Sequence, residues 1–298
     1  MSVFATSIAV IVAVVLGSYF VAVVERLLES PRHVAAALAS PLREAASRLS
    51  QESLIPSAAD RFLFRTAPVI AFASVCVAAT VIPLSKRMMA FDPQIGLFFF
   101  LVTLGPFVVA MMNAGWSANS KAGLFGTFRA AAVLVAYEVP IGFAAIGPVM
   151  AAQSLSTTRI VAAQQHLWFV AWQPIGFLIY LMAALFMTYR HPFDLAQSGS
   201  ELGGGVLAEY SGVRLLMFET ALRAIFILLM AMGVVLFLGG GNPATFLLKT
   251  LLLAAAVLWM TRFSPRWRLD QMLSFAWKIL LPAALVNLIA VGVIVLLQ

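Results

Sequence analysis

Charge is what this sequence has least of. Asp, Glu, Lys and Arg make up 10% of its 298 residues, against 62% hydrophobic residues and a mean hydropathy of +1.00. A soluble domain covers its surface with about a quarter charged residues, so this composition excludes one. Cysteine is nearly missing: Cys76 stands alone in an apolar run. One thiol excludes an internal disulfide and cannot by itself hold a cysteine-ligated metal or cluster. His33, His166 and His191 are far apart in the chain, so no metal or haem site is suggested. No small-residue cleavage site follows the first apolar block, which runs into charge and reads as a retained helix. No fixed-period repeat is evident, which argues against a simple inverted-repeat transporter.

What the chain does have is apolar blocks of about 20 residues, the length that spans a bilayer. Eight spans are expected, at 4–24, 66–85, 94–114, 126–151, 167–188, 215–239, 244–261 and 273–297. Pro83, Pro93, Pro140 and Pro174 fall at or inside them, which hydrocarbon tolerates when neighbouring helices satisfy the freed carbonyls. GGGNP at 239–243 is the clearest tight turn. The fold class is therefore an all-α polytopic membrane protein, read as one membrane domain over 1–298.

The net charge of +7 is scattered through short connections, with no basic face for nucleic acid. It does set an orientation. Odd-numbered connections carry Arg26, Arg32, Arg43, Arg48, Arg61, Arg65, Lys121, Arg129, Arg190, Arg214, Arg262, Arg266, Arg268 and Lys278. Even-numbered ones carry Lys86, Arg87, Arg159 and Lys249. Fourteen against four places the odd loops in the cytoplasm and both termini outside. In the first loop, Val34, Leu38, Leu42, Ala46 and Leu49 recur at near-helical spacing with charges between them. An amphipathic interfacial helix over about 33–52 is expected there.

Ionisable groups inside spans cost at least roughly 2.5 kcal/mol and need an account. Glu138 sits halfway along the fourth span, with no opposite charge a turn away; Arg129 is nine positions back. A buried carboxylate of this kind suits a proton or ion path. Glu219 and Arg223, four apart in the sixth span, share one helical face and are expected to neutralise each other. In the third loop Trp116, as an interfacial anchor, and Lys121 gather with Asn113, Asn119 and Ser120 beside the Glu138 span. In the seventh, Asp270 and Gln271 exceed what topology needs and are candidates to pair with arginines of the first or third loop.

Three stretches then coincide with a known family: NSKxGLxGxxRAAAxxxxYE from Asn119, PFDLxxxxSEL…EYSG from Pro192, and RxxxDQMxxFxWKxLLP from Arg266. In this order and spacing they resemble the quinone-site membrane subunit of respiratory NADH:quinone oxidoreductase (complex I), known as the H-type subunit in bacteria and as subunit 1 in organelles. Membrane-bound hydrogenases have a counterpart. The resemblance runs from about residue 105 to the C-terminus; the first third matches in architecture more than in letters. It implies a bacterial inner-membrane subunit that holds no cofactor of its own and is not catalytic alone. Such a subunit encloses much of the quinone chamber, docks soluble electron-transfer subunits carrying iron–sulfur clusters, and contacts small and antiporter-like proton-pumping membrane subunits as well as lipid. It implies proton-coupling roles for Glu138, Asp194, Glu201, Glu209 and Glu219. Trp116, Lys121, Arg129, Arg190, Arg262, Arg268 and Asp270 fall where the family lines the chamber or docks the arm.

Three departures stand out. The first loop lacks the family's glycine–proline–asparagine segment; Gln197 and Gly199 stand where acids are usual; and Leu222 stands where the sixth helix often has a carboxylate. Two alternatives follow from the residues. One is the equivalent subunit of a hydrogenase-, formate- or ferredoxin-linked complex. The other is a stand-alone ion-coupled transporter using Glu138 and Glu219.

Overall fold

Inside hydrocarbon every backbone N–H and C=O must be satisfied within the protein, which favours helices. The computed structural model describes residues 3–30, 32–83, 94–197 and 199–297, and among these there is no strand. The long elements are α1 (Val3–Glu29), α2 (Val34–Ser50), α3 (Arg61–Ala79), α4 (Gly96–Ser117) and α5 (Lys121–Ala152). After a short α6 (Thr157–Ala163) come α7 (Pro174–Met187) and the single turn α8 (Gly199–Leu202). Then follow α9 (Gly212–Phe237), α10 (Pro243–Thr261), α11 (Leu269–Phe275) and α12 (Leu281–Leu297), the last two joined by a π-helical stretch, Ala276–Leu280.

Among the described residues seven helices are long and apolar enough to cross a membrane. The span expected at 167–188 differs from the others. Its first part is a 3₁₀ turn, Phe169–Ala171, and only the 14 residues of α7 are α-helical. Pro174 explains the break: it starts the helix at its first position and pushes Gln173 before it out of helical geometry, to φ −124° and ψ 47°. At 1.5 Å per residue α7 is about 21 Å long, short of the roughly 30 Å hydrocarbon core. Lys86, Arg87 and Pro93 lie outside the described residues.

α9 is the axis of the bundle. All its residues from Ala224 to Phe237 are buried, and α1, α3, α7 and α10 pack around it. α4, α5, α7 and α12 extend the bundle to one side, and one contiguous apolar core runs through both parts. Side-chain caps fix two helix starts: Asp60 accepts from Phe62 and Leu63 backbone N–H, and Ser120 from that of Gly123.

A helix covers 34–50, and its orientation is particular. Ala37 and Pro41 face the bundle, while Val34, Leu38, Leu42, Ala46 and Leu49 are all exposed. The small face lets α2 lie close against α1 and α9, held by Tyr19 Oη donating to the Leu38 carbonyl at 2.9 Å. The leucine stripe is therefore the outward face.

The end of α9 opposite to the arginines is closed by side chains. Gln164 Nε2 donates to the Val235 carbonyl at 2.8 Å, and Lys249 Nζ to those of Leu238 at 2.7 Å and Gly240 at 2.9 Å. These carbonyls belong to the helix end and the GGG turn, where Gly239, Gly240 and Gly241 all have positive φ. A cation there also meets the negative end of the helix dipole, and Lys249 lies 4.2 Å above the Trp168 ring. Lys249, one of the few cations counted on the even side, thus has a local structural role. Lys249→Met is expected to cost about 2 kcal/mol, the scale of hydrogen bonds to a charged group. Thermal melting of the purified complex measures it; an unchanged melting temperature would remove the cap from the account.

Candidate functional site

At the arginine-rich end, charges from separate helices meet. Glu25, on the last turn of α1, is paired with Arg190, which follows α7, and its other oxygen lies 3.6 Å from Arg223 Nε on α9. The Arg190 side chain is only 12% exposed and sits 4.9 Å over the Phe226 ring. Burial, with Arg223 beside it, pushes the Arg190 guanidinium down to about 9, still protonated at neutral pH. Arg26 bonds Glu29 at 3.1 Å and also pairs with Glu44 of α2, so α1 grips that helix. Arg262 donates to the Leu28 carbonyl. His191 Nε2 is 2.9 Å from the Ser264 carbonyl; a carbonyl only accepts, so Nε2 carries the proton.

These groups surround a cavity of about 660 Å³ between α1, α2, α9, α10 and the segment after α7. Glu25, Arg26, Glu29, Glu44, Arg190, His191, Arg223 and Arg262 supply its polar wall, and Ala22, Leu28 and Leu258 its apolar one. Such a slot can hydrogen-bond a polar headgroup while an aliphatic tail follows the apolar side.

A second group of charges lies across the connection after α7. Arg266 Nε is 3.0 Å from Asp194 Oδ1, and Arg266 Nη2 reaches the Asp194 carbonyl at 3.4 Å. Arg129 bonds Glu201 at 2.6 Å and the Leu195 carbonyl at 3.3 Å. The Arg129 bond and charge, with Arg266 and Arg268 nearby, hold the Glu201 carboxyl below the usual carboxylate range. The segment folds back on itself at Gly205, whose φ is +57°; a side chain there would collide with the Ala196 carbonyl. Tyr210 then locks it to α3, stacked on Phe64 with ring centroids 4.0 Å apart.

Glu138 stands elsewhere. It is the eighteenth residue of α5, about 26 Å along the helix. Its side chain is exposed on the outside of this chain, in a groove of about 200 Å³ between α4 and α5. Phe98, Leu101, Gly105, Tyr137, Ile141 and Gly142 line that groove, and Glu138 makes no ion pair among the described residues.

A family described as NADH dehydrogenase matches residues 2–292. The chain is 37% identical over 274 residues to the second H-type subunit of NADH-quinone oxidoreductase of Rhizobium meliloti (strain 1021), covering 86% of this chain and 84% of that protein. It is 40% identical over 256 residues to the H-type subunit of NADH-quinone oxidoreductase of Anoxybacillus flavithermus (strain DSM 21510 / WK1), covering 83% and 77%. The chain belongs to the family of H-type membrane subunits of NADH-quinone oxidoreductase. It is thus a non-catalytic membrane subunit of a multi-subunit enzyme of bacterial type.

The family's motifs are distributed over three places. Arg190 and Arg262 line the charged cavity. Asp194, Glu201, Arg129 and, at longer range, Arg268 form the second group. Glu138 faces outward from the α4–α5 groove. Trp116, Lys121, Glu209 and Asp270 are exposed at the arginine-rich end and belong to neither cluster. Gln271 bonds the Arg268 backbone N–H at 3.1 Å, closing the start of α11, so it does not reach the first or third loop.

The pairing expected between Glu219 and Arg223 is not formed. Glu219 bonds Arg48 of α2 at 3.3 Å, while Arg223 turns to Glu25. Partners on neighbouring helices satisfy both groups, and in doing so fasten α2 and α1 to α9. Sequence reasoning also passed over Glu25, Glu29 and Glu44 as cavity residues. Glu25, Arg26 and Glu29 at the end of the first span offered a signal, since i, i+4 acids beside a base do not belong to a plain apolar helix. Tyr189 offered none: it has φ +49°, and its buried hydroxyl lacks a hydrogen-bond partner.

The folded value of Glu201 is depressed, so its contribution holds above the ordinary Glu value of about 4.3 and is lost as pH falls through the lower folded value. Hydrogen-exchange protection of residues 194–207 is therefore expected to be flat from about pH 8 to pH 5 and to fall below about pH 4. Protection that declines already at pH 6 would contradict the tether.

Proposed function

We propose that the charged cavity is this protein's part of a quinone-binding chamber, in a complex that couples quinone reduction to proton translocation. The observation that carries the reading is the slot between α1, α2, α9 and α10, with arginines and carboxylates on one wall and apolar side chains on the other. A quinone headgroup needs hydrogen bonds, its isoprenoid tail needs an apolar exit, and the reduced dianion needs nearby acids for two protons. In this reading the chain crosses the membrane eight times, α7 being a short span. Both termini lie on the periplasmic side, and α2 rests its leucine stripe on lipid at the cytoplasmic interface. The arginine-rich end then faces the soluble electron-transfer subunits, which carry the iron–sulfur clusters. Arg129, Glu201, Asp194, Trp116, Lys121, Arg268 and Asp270 form the docking side, where complementary charge guides association.

Glu138 is the outlet of the relay. A carboxylate at membrane depth with no ion pair among the described residues needs a partner from a neighbour. The groove around it therefore receives a helix of an adjacent membrane subunit. Glu219, Glu209, Glu201 and Asp194 are the remaining carboxylates through which quinone reduction reaches the proton-pumping subunits. Gln197 and Gly199, where the family's usual acids are missing, favour a second reading of the electron donor as a hydrogen-, formate- or ferredoxin-linked module. Finding a flavin-bearing or a nickel–iron-bearing subunit in the purified complex decides between them.

Two substitutions test the function. Glu138→Gln is expected to lower coupled turnover several-fold while the complex still assembles; normal pumping at normal turnover would sink the relay. Arg262→Met, which removes a guanidinium from the slot, should raise the KM for quinone more than it lowers kcat. An unchanged KM together with unaltered inhibitor competition would place quinone elsewhere.

A further inference from the structure

The far end of the bundle contains buried polar atoms with no partner. Gln173 is 1% exposed and Asn287 6% exposed, yet Gln173 Nε2, Gln173 Oε1 and Asn287 Nδ2 make no hydrogen bond. Gln173 precedes Pro174 at the start of α7 but does not cap that helix. Asn287 lies at the centre of the one seam by which α12 joins the bundle, between buried Ala284 and Val291. Both amides press on glycines. A methyl group on Gly147 of α5 would lie 2.6 Å from Gln173 Oε1 and 3.5 Å from Asn287 Nδ2, and one on Gly176 of α7 2.8 Å from Asn287 Nδ2.

Those distances bound the site. Gln173 Oε1 and Asn287 Nδ2 are at most about 6 Å apart, the span that one water bridges with two ordinary hydrogen bonds. Burying such groups without a partner is costly, because each has given up its hydrogen bonds to water. Helix association in lipid also lacks a hydrophobic driving force, so a seam as thin as that of α12 depends on close packing and polar contacts.

We propose that Gln173 and Asn287 bind one ordered water, which fastens α12 to the start of α7 across Gly147 and Gly176. The water donates to Gln173 Oε1 and accepts from Asn287 Nδ2, and Gly147 and Gly176 give the two amides the space to approach. This site lies at the opposite end of the bundle from the quinone cavity and stands independently of that reading.

Cryo-electron microscopy of the intact wild-type complex, at a resolution that shows waters, tests it directly. Density within hydrogen-bond distance of both amides is expected; amides bonded directly to each other, or a dry gap between them, overturns the proposal. A second measurement is a cycle of Gln173→Leu, Asn287→Leu and the double variant, read as the temperature at which the chain is lost from the complex. Each single variant leaves a polar atom and a water stranded, so the double variant is expected to melt higher than the sum of the two losses predicts. Additive losses would mean that the amides share no ligand. If the single variants do not assemble, the wild-type density alone decides.

Discussion

Glu25 lies between two arginines that come from different parts of the chain, and most of the arginine-rich end depends on that arrangement. A carboxylate at a helix end near hydrocarbon is expensive alone, and so is a nearly buried guanidinium such as Arg190. Pairing Glu25 with both arginines offsets part of that cost, and the contacts are held only if α1, the segment after α7 and α9 keep one relative position. The charged cavity is the space left beside this arrangement, so its shape follows from electrostatic need as much as from packing.

The same constraint recurs at other carboxylates, with a different answer every time. Glu219 is answered by Arg48, which ties α2 to the central helix. Asp194 and Glu201 are answered by Arg266 and Arg129, which hold the connection after α7 against α5 and the segment before α11. These exposed or half-exposed pairs each stabilise little. Their effect is positional, added to the burial of Phe193, Leu195, Val206 and Tyr210 that anchors the connection after α7. Glu138 differs: it is exposed on the outside of the chain and makes no ion pair among the described residues.

The opposite end solves another problem. There the carbonyls closing α9 need donors, and Gln164 and Lys249 supply them from separate elements. The central helix is thus fixed by ion pairs at one end and by side-chain caps at the other. Its middle is buried throughout, from Ala224 to Phe237, with the Tyr180 hydroxyl donating to the Leu229 carbonyl at 2.8 Å.

Much was legible in the residues. Lipid forbids unsatisfied backbone, so apolar blocks of membrane length had to be helices, and the turn at GGGNP fell where expected. The three motifs identified the family, because polar residues in a chain this apolar persist only where chemistry or contact needs them. What the one-dimensional pattern could not contain was partner choice. Glu219 and Arg223 share a helical face and pair with other helices; α2 turns its leucines outward because its small face packs inward; α7 starts late at Pro174. Sequence determines which groups must be neutralised and which faces are apolar, since those are properties of single residues and their period. The tertiary structure decides which charge meets which, since that depends on distances between helices that no local spacing encodes.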